Sequence, residues 1–390
     1  LMAVGEGRAL MESIMVSDVA KGGYPLHGGD LRWASYRYGF DQGSFLDLSC
    51  SLNPLGPPPS ALRAARKALR RVARYPEPAA ESLREELARF LGVGAGSLVV
   101  GNGSTELIHL FLRWVGPRSV LLVEPCFSEY RRAAMAAGAR VETYLLRAED
   151  GFRLDPDRLA QEARGHELVV LVNPSSITGR FYPDRELEPV AQAAAEAGTL
   201  FLLDRSFMGL CDQAVGLAGW EVGGGESLFH LSTSTKLFAL AGLRGPGWLV
   251  GPGEVVRKLE LQSPPWRVGE PAAAALRAAL SDRKYLARTR RLVPRWREKL
   301  ASSLEGLPLK IFPSSVNLLL LRLPGGDVGE QLVHYLGRRG ILVRWCADFP
   351  GLGPEFVRVA VGRPRQNRSL VQELRNFFDL RGKGGFAGDL

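Results

Sequence analysis

A chain of 390 residues has room for one large domain and a smaller one, and its 46% hydrophobic content is ordinary for a soluble globular protein. No apolar run is long enough for a bilayer-spanning helix, so a helical membrane protein is not expected. The formal net charge is +9, carried mostly by Arg in alanine-rich stretches such as ALRAARKALRRVARY (61–75). This reads either as solvated helix faces or as attraction for anionic ligands, phosphate esters included.

No aromatic-plus-basic motif points to nucleic acid. The four cysteines, Cys50, Cys126, Cys211 and Cys346, are neither at metal-ligand spacing nor dense enough for a disulfide framework. A reducing, cytoplasmic setting is expected, with no metal site. The chain begins LMAVGEGRALMES, with Met15 as an alternative start, and no secretory signal is expected. The Gly-rich end, RGKGGFAGDL, is expected to fray.

The first fifty residues lack a strand–helix rhythm. Strand candidates then follow in order: SLVVG (97–101), SVLLVEP (119–125), RVETYLL (140–146), ELVVLVNP (167–174), TLFLLD (199–204), SLFHLS (227–232) and GWLVG (247–251). Helix-like stretches separate the first five: STELIHLFLRWV, SEYRRAAMAAGA, DPDRLAQEAR and DRELEPVAQAAAEAG. The alternation predicts an α/β domain with a mostly parallel sheet covered on both faces, and ligands at the C-terminal strand ends. Beyond 265 two helical stretches (270–304) lead into VNLLLLRL, GILVRW, FVRVAVG and a last helix (365–378), a smaller α+β domain. The expected division is 50–265 against 1–49 plus 266–390.

Four segments carry chemistry. VVGNGSTELI runs a strand into Gly101-Asn102-Gly103-Ser104-Thr105 and a helix, whose first amides can bind phosphate, although such turns are common. EPCFSEY puts Phe127 after a strand end, either as a core aromatic or flat on a ligand ring. TLFLLDRSF ends a buried strand with Asp204, which is either a cap or a partner for a protonated ring nitrogen. STSTKLFALAGLRG sets Lys236 among small hydroxyls with Arg244 eight positions on. Hydroxyls and Arg suit a phosphate monoester, and such a lysine can bond a carbonyl cofactor. An ordinary Ser/Thr-rich loop remains open on spacing alone.

Together these segments resemble fold-type I pyridoxal-phosphate (PLP) enzymes, in the branch of histidinol-phosphate aminotransferase and the cobalamin-pathway threonine-phosphate decarboxylase. The likeness runs from about residue 25 to 378 and adds Asn-Pro-x-x-x-Thr-Gly (173–179). It implies the aspartate-aminotransferase-like fold. HGGDLRWASYRYG (27–39), DLSCSLNPLGPP (47–58) and ILVRWCADFPGLGPEFVRVAV (341–361) are similar to the decarboxylase pattern.

The resemblance implies roles. Lys236 forms the Schiff base with PLP, and Asp204 pairs with the pyridinium. Phe127 stacks on the ring. Gly103, Ser104, Thr105, Thr233, Thr235 and Arg244 hold the cofactor phosphate. Tyr75, in RYPEP, reaches that phosphate from the other subunit of a homodimer. His27, Gly28, Asn53, Arg344 and Arg358 meet the phosphate and carboxylate of the substrate, two arginines suiting two anionic groups. Two departures stand at the cofactor. Ser175-Ser176-Ile177 replaces Asn-Asn-Pro, so the short Ser176 stands where an amide contacts the phenolic oxygen. Asp204-Arg205-Ser206-Phe207 replaces Asp-Glu-Ala-(Phe/Tyr), and Ser206 offers another hydroxyl.

The implied activity is decarboxylation of threonine phosphate or serine phosphate, for corrinoid synthesis. The alternatives are a histidinol-phosphate-type aminotransferase, a catalytically weak binding relative in corrinoid assembly, and a PLP-independent basic binding protein.

Overall fold

The computed structural model describes residues 24–213 and 227–382. The N-terminal extension with Met15, and the Gly-rich end from 383 onward, lie outside the described residues, so fraying is not addressed.

Seven strands form the main sheet. They are β2 (Leu98–Gly101), β3 (Ser119–Glu124), β4 (Arg140–Leu145), β5 (Leu168–Val172), β6 (Leu200–Asp204), β7 (Leu228–Thr233) and β8 (Gly247–Val250), following β1 (Leu46–Asp47) in the chain. Their order across the sheet is β2-β8-β7-β6-β5-β3-β4, and every pairing is parallel except those of β8. LVVLV of β5 and LFHLST of β7 are buried along their whole length, as central strands covered on both faces must be. RVETYL of β4 mixes polar and apolar residues, is mostly exposed or half-buried, and lies at an edge of the sheet.

The second sheet is antiparallel, in the order β12 (Arg344–Trp345), β13 (Phe356–Ala360), β10 (Leu318–Arg322), β9 (Lys310–Ile311). GILVRW does not form the single strand its composition suggests. The chain changes partner at Val343, so β11 (Ile341–Leu342) runs parallel to β1, whereas Arg344–Trp345 joins β13. The segment before residue 50 also holds a helix, Leu31–Tyr38, capped by the Asp30 carboxylate accepting from the Trp33 amide. We propose the domain division given above. Leu46–Asp47 is bonded to the smaller part, while helix Glu270–Leu280 packs against helices Pro59–Ala68 and Glu81–Leu91.

Two long helices, Arg283–Ser303 and Pro364–Gly382, pack together beside the small sheet. Among the described residues no helix is long and apolar enough to cross a membrane.

Strand β8 lies against the start of helix Gly103–Val115. A Cβ on Gly247 would sit 2.6 Å from the Gly103 carbonyl carbon and 2.7 Å from the Ser104 nitrogen. Both are backbone atoms and cannot turn aside. Gly247→Ala should therefore lower the unfolding free energy by about 1–3 kcal/mol, as overpacking does. Urea denaturation measures this, and an unchanged midpoint would contradict it.

Candidate active site

A pocket opens at the C-terminal ends of the parallel strands and is closed on its other side by the small sheet and residues 26–28. Asp204 ends β6 and is 4% exposed. Its Oδ2 accepts from the Tyr130 hydroxyl at 2.7 Å and its Oδ1 from the Ser206 amide at 2.7 Å. Burial pushes its pKa up, opposed by these hydrogen bonds and by Lys236.

Lys236 faces the same space. Strand β7 ends at Thr233, whose hydroxyl accepts from the Thr235 amide at 3.3 Å and starts the short helix Ser234–Leu237. That turn sets Lys236 with its Nζ 5.5 Å from the centre of the Phe207 ring. Burial pulls its pKa down. The carboxyl and the amine are thus shifted toward each other.

Beside them is an anion cradle. Gly103 has φ +81°, and a Cβ there would meet the Arg244 guanidinium at 2.7 Å, so only glycine leaves that space. Arg244 itself is held at φ +52°, a costly conformation for a side-chain-bearing residue. Ser104, Thr105, Thr235 and Arg244 line the pocket, next to the N-terminal amides of helix Gly103–Val115. Thr233 does not line it. Its hydroxyl is used within the turn, by Thr235.

The facing wall comes from the small sheet. Arg344 is buried, pairs with Asp348 at 2.6 Å, donates to the Leu26 carbonyl at 2.7 Å and lies over the Phe349 ring. Arg358 donates to the carbonyls of Ser176 at 2.7 Å and Ser49 at 2.9 Å, and makes no ion pair among the described residues. Burial lowers its pKa. His27 and Gly28 cross the mouth, with the His27 ring 5.8 Å from Phe127. Gly28 presses on Ser49, whose carbonyl oxygen would lie 2.6 Å from an added Cβ.

Two expected residues sit elsewhere. The Asn53 amide donates to the Leu237 carbonyl at 2.8 Å and to Thr289 at 2.9 Å, so its two hydrogens tie the lysine's turn to helix Arg283–Ser303 and none is left for substrate. Tyr75 lies outside the pocket, 81% exposed and stacked on Trp266 at 4.7 Å.

Each of the two departures reaches the pocket only in part, Ser175 and Arg205 lying off its wall. Ser176 and Ser206 both line the pocket, and the buried Ser176 hydroxyl has no partner. Arg205 follows Asp204 and so projects oppositely, pairing with Asp184 at 2.6 Å. Sequence reasoning missed Ser49 and Cys50 in the wall, Tyr130 on Asp204, and Glu129 beneath His27. Tyr130 stands three residues after Phe127, where one helical turn returns to the same side, and that was its available signal.

A family model described as aminotransferase class I and II matches residues 44–374. A threonine-phosphate decarboxylase of Salmonella typhimurium is 32% identical over 90% of this chain and 96% of its own length. A histidinol-phosphate aminotransferase of Methanoculleus marisnigri is also 32% identical, over 87% and 92%. The crystal structure of histidinol-phosphate aminotransferase from Clostridium acetobutylicum superposes with a TM-score of 0.78 at 24% identity, covering 85% of this chain and 98% of that one. The fold is the expected aspartate-aminotransferase-like one, a large domain on a mostly parallel sheet with a small antiparallel-sheet domain, and the chain belongs to the aminotransferase class I and II family.

Proposed function

We propose that the protein is a carboxy-lyase that removes CO₂ from an amino-acid O-phosphate, threonine phosphate or serine phosphate, in corrinoid synthesis. It is a PLP-dependent enzyme. The residues present fit this cofactor: a buried, unpartnered hydroxyl on Ser176, a side-chain-free approach at Gly103, and the buried Asp204 carboxyl in one pocket with the half-buried Lys236 amine. When bound, PLP supplies a carbonyl that takes up amines and a protonated ring that draws electrons from a bond broken at Cα.

Lys236 Nζ, whose pKa desolvation lowers, is the amine that would hold the cofactor carbonyl, and it is placed to give a proton to Cα of a bound substrate. Asp204 keeps a proton on the ring nitrogen, and Tyr130 holds the carboxylate in place. Phe127 packs on the ring, and Ser104, Thr105, Thr235 and Arg244 take the cofactor phosphate. Tyr75, exposed and away from its own pocket, crosses to the other subunit in a homodimer. A cytoplasmic location belongs to the same proposal.

The observation that carries the decarboxylase reading is the wall of two arginines, Arg344 buried and Arg358 half-buried, beside His27 and Gly28. Arg358 has no counter-ion among the described residues, and a substrate with a carboxylate and a phosphate supplies two anions to a wall that holds one internal carboxylate, Asp348. Holding both anions would fix the orientation of the substrate at its Cα. The extra methyl of threonine phosphate adds only about 1–3 kcal/mol of discrimination.

A second reading, an aminotransferase, is favoured by the equal 32% identity to a histidinol-phosphate aminotransferase. Keto-acid-dependent conversion of the bound cofactor to its amine form would identify it. The Ser175-Ser176-Ile177 departure supports a third, a weakly active binding relative.

The test is CO₂ release by PLP-loaded protein from threonine phosphate or serine phosphate without keto acid. Sustained turnover is expected, and an intact cofactor spectrum with no release would overturn the reading. Arg358→Leu should cut kcat/KM by about 100-fold or more, since a buried charge pair is worth roughly 3–5 kcal/mol when one partner is removed. Lys236→Ala should leave no borohydride-reducible cofactor on the protein. A reducible adduct on another lysine would refute the assignment.

A further inference from the structure

Glu129 is the first residue of helix Glu129–Ala136 and is 5% exposed. Three donors converge on its carboxylate. His27 Nε2 lies 3.1 Å from Oε1, Arg132 donates to Oε1 at 2.6 Å, and His109 Nε2 lies 3.2 Å from Oε2. These bonds, His27's first among them, hold its pKa down at about 2.

The three donors are not equivalent. Arg132 is on Glu129's own helix and His109 is on the neighbouring helix Gly103–Val115. They suffice to satisfy a buried carboxylate. His27 comes from a separate segment, 102 residues away, and lines the pocket mouth. Its flanking residues are tied to the opposite side, the Leu26 carbonyl by Arg344 at 2.7 Å and the Gly29 amide by the Ser49 hydroxyl at 2.8 Å. The strap 26–29 is therefore anchored on one side by backbone bonds and on the other through the His27 ring.

We propose that Glu129 is a positioning residue, which fixes His27 over the pocket as a hydrogen-bond donor to the phosphate of the substrate. With Nε2 taken by Glu129, Nδ1 is the ring nitrogen left to face the substrate, and a ring carrying both hydrogens donates from each. His27 alone, 46% exposed at the side chain, would spread over several rotamers. Pinned by Glu129, it presents a fixed donor at the rim, apart from Arg358 at the back wall. This rests on the amino-acid phosphate reading above.

The experiment compares holoenzyme variants Glu129→Gln, His27→Gln and the double variant. Dissociation constants for threonine phosphate and for unphosphorylated threonine are read from the change in cofactor absorbance. Glu129→Gln should weaken threonine phosphate ~10-fold, the scale of one charge-assisted hydrogen bond, while threonine changes less than about twofold. His27→Gln should match it, and the double variant should be no weaker than either, as for two residues acting as one unit.

Equal losses for both ligands, no loss for either, or additive losses in the double variant would each overturn the proposal. Should Glu129→Gln fail to fold, Glu129→Asp keeps the charge and withdraws it from His27. An intermediate loss confined to threonine phosphate is then expected, and wild-type affinity would overturn the proposal. CO₂ release is scored separately. A wild-type protein that keeps the phosphate preference without releasing CO₂ loses the decarboxylase reading and retains the role of Glu129.

Discussion

Two groups of opposite charge, the buried Asp204 and the half-buried Lys236, face one pocket at the ends of adjacent strands β6 and β7. Neither is salt-bridged among the described residues, and burial shifts both toward neutrality. An acid and an amine kept in this state are costly unless something charged comes between them. Much of the surrounding structure bears that cost. The apolar strands LFLL and LFHLS exclude water, Tyr130 and the Ser206 amide satisfy the carboxylate, and Asn53 braces the turn that carries the lysine. A protonated heteroaromatic ring with an aldehyde fits between the two because each end of it meets the group that needs it.

The second constraint is the surplus of positive charge around the pocket. Arg358 has carbonyls for partners, Arg344 has Asp348, and Arg244 lies in a strained backbone conformation over the phosphate cradle. Natural cores rarely leave an arginine without a counter-ion. An anionic ligand on each side of the pocket, cofactor phosphate on one and substrate on the other, resolves this. The strap at His27 closes the same space.

Most of the architecture was legible because its strands are buried on both faces and read as continuous apolar runs. The seven predicted strands of the large sheet all form, within a residue or two at their ends. GILVRW was misread as one strand because nothing in an apolar run marks a change of partner at Val343. At the site, Lys236, Asp204, Ser104, Thr105 and Arg244 were legible through turn chemistry and converge on one pocket. Asn53 and Thr233 were misplaced because an amide or hydroxyl beside a site looks the same in sequence whether it faces ligand or backbone. Glu129 was invisible as a site residue because its partner His27 lies 102 positions away.

The central claim is that this pocket breaks the Cα–carboxylate bond rather than the Cα–H bond. Proton NMR in D₂O tests it most directly, with PLP-loaded protein, threonine phosphate and no keto acid. The account predicts aminopropanol phosphate bearing a single deuterium at the former Cα, delivered in place of CO₂, while unreacted substrate keeps its α-proton. Loss of the α-proton signal from substrate whose carboxylate remains intact would contradict it and assign the pocket to amino-group transfer.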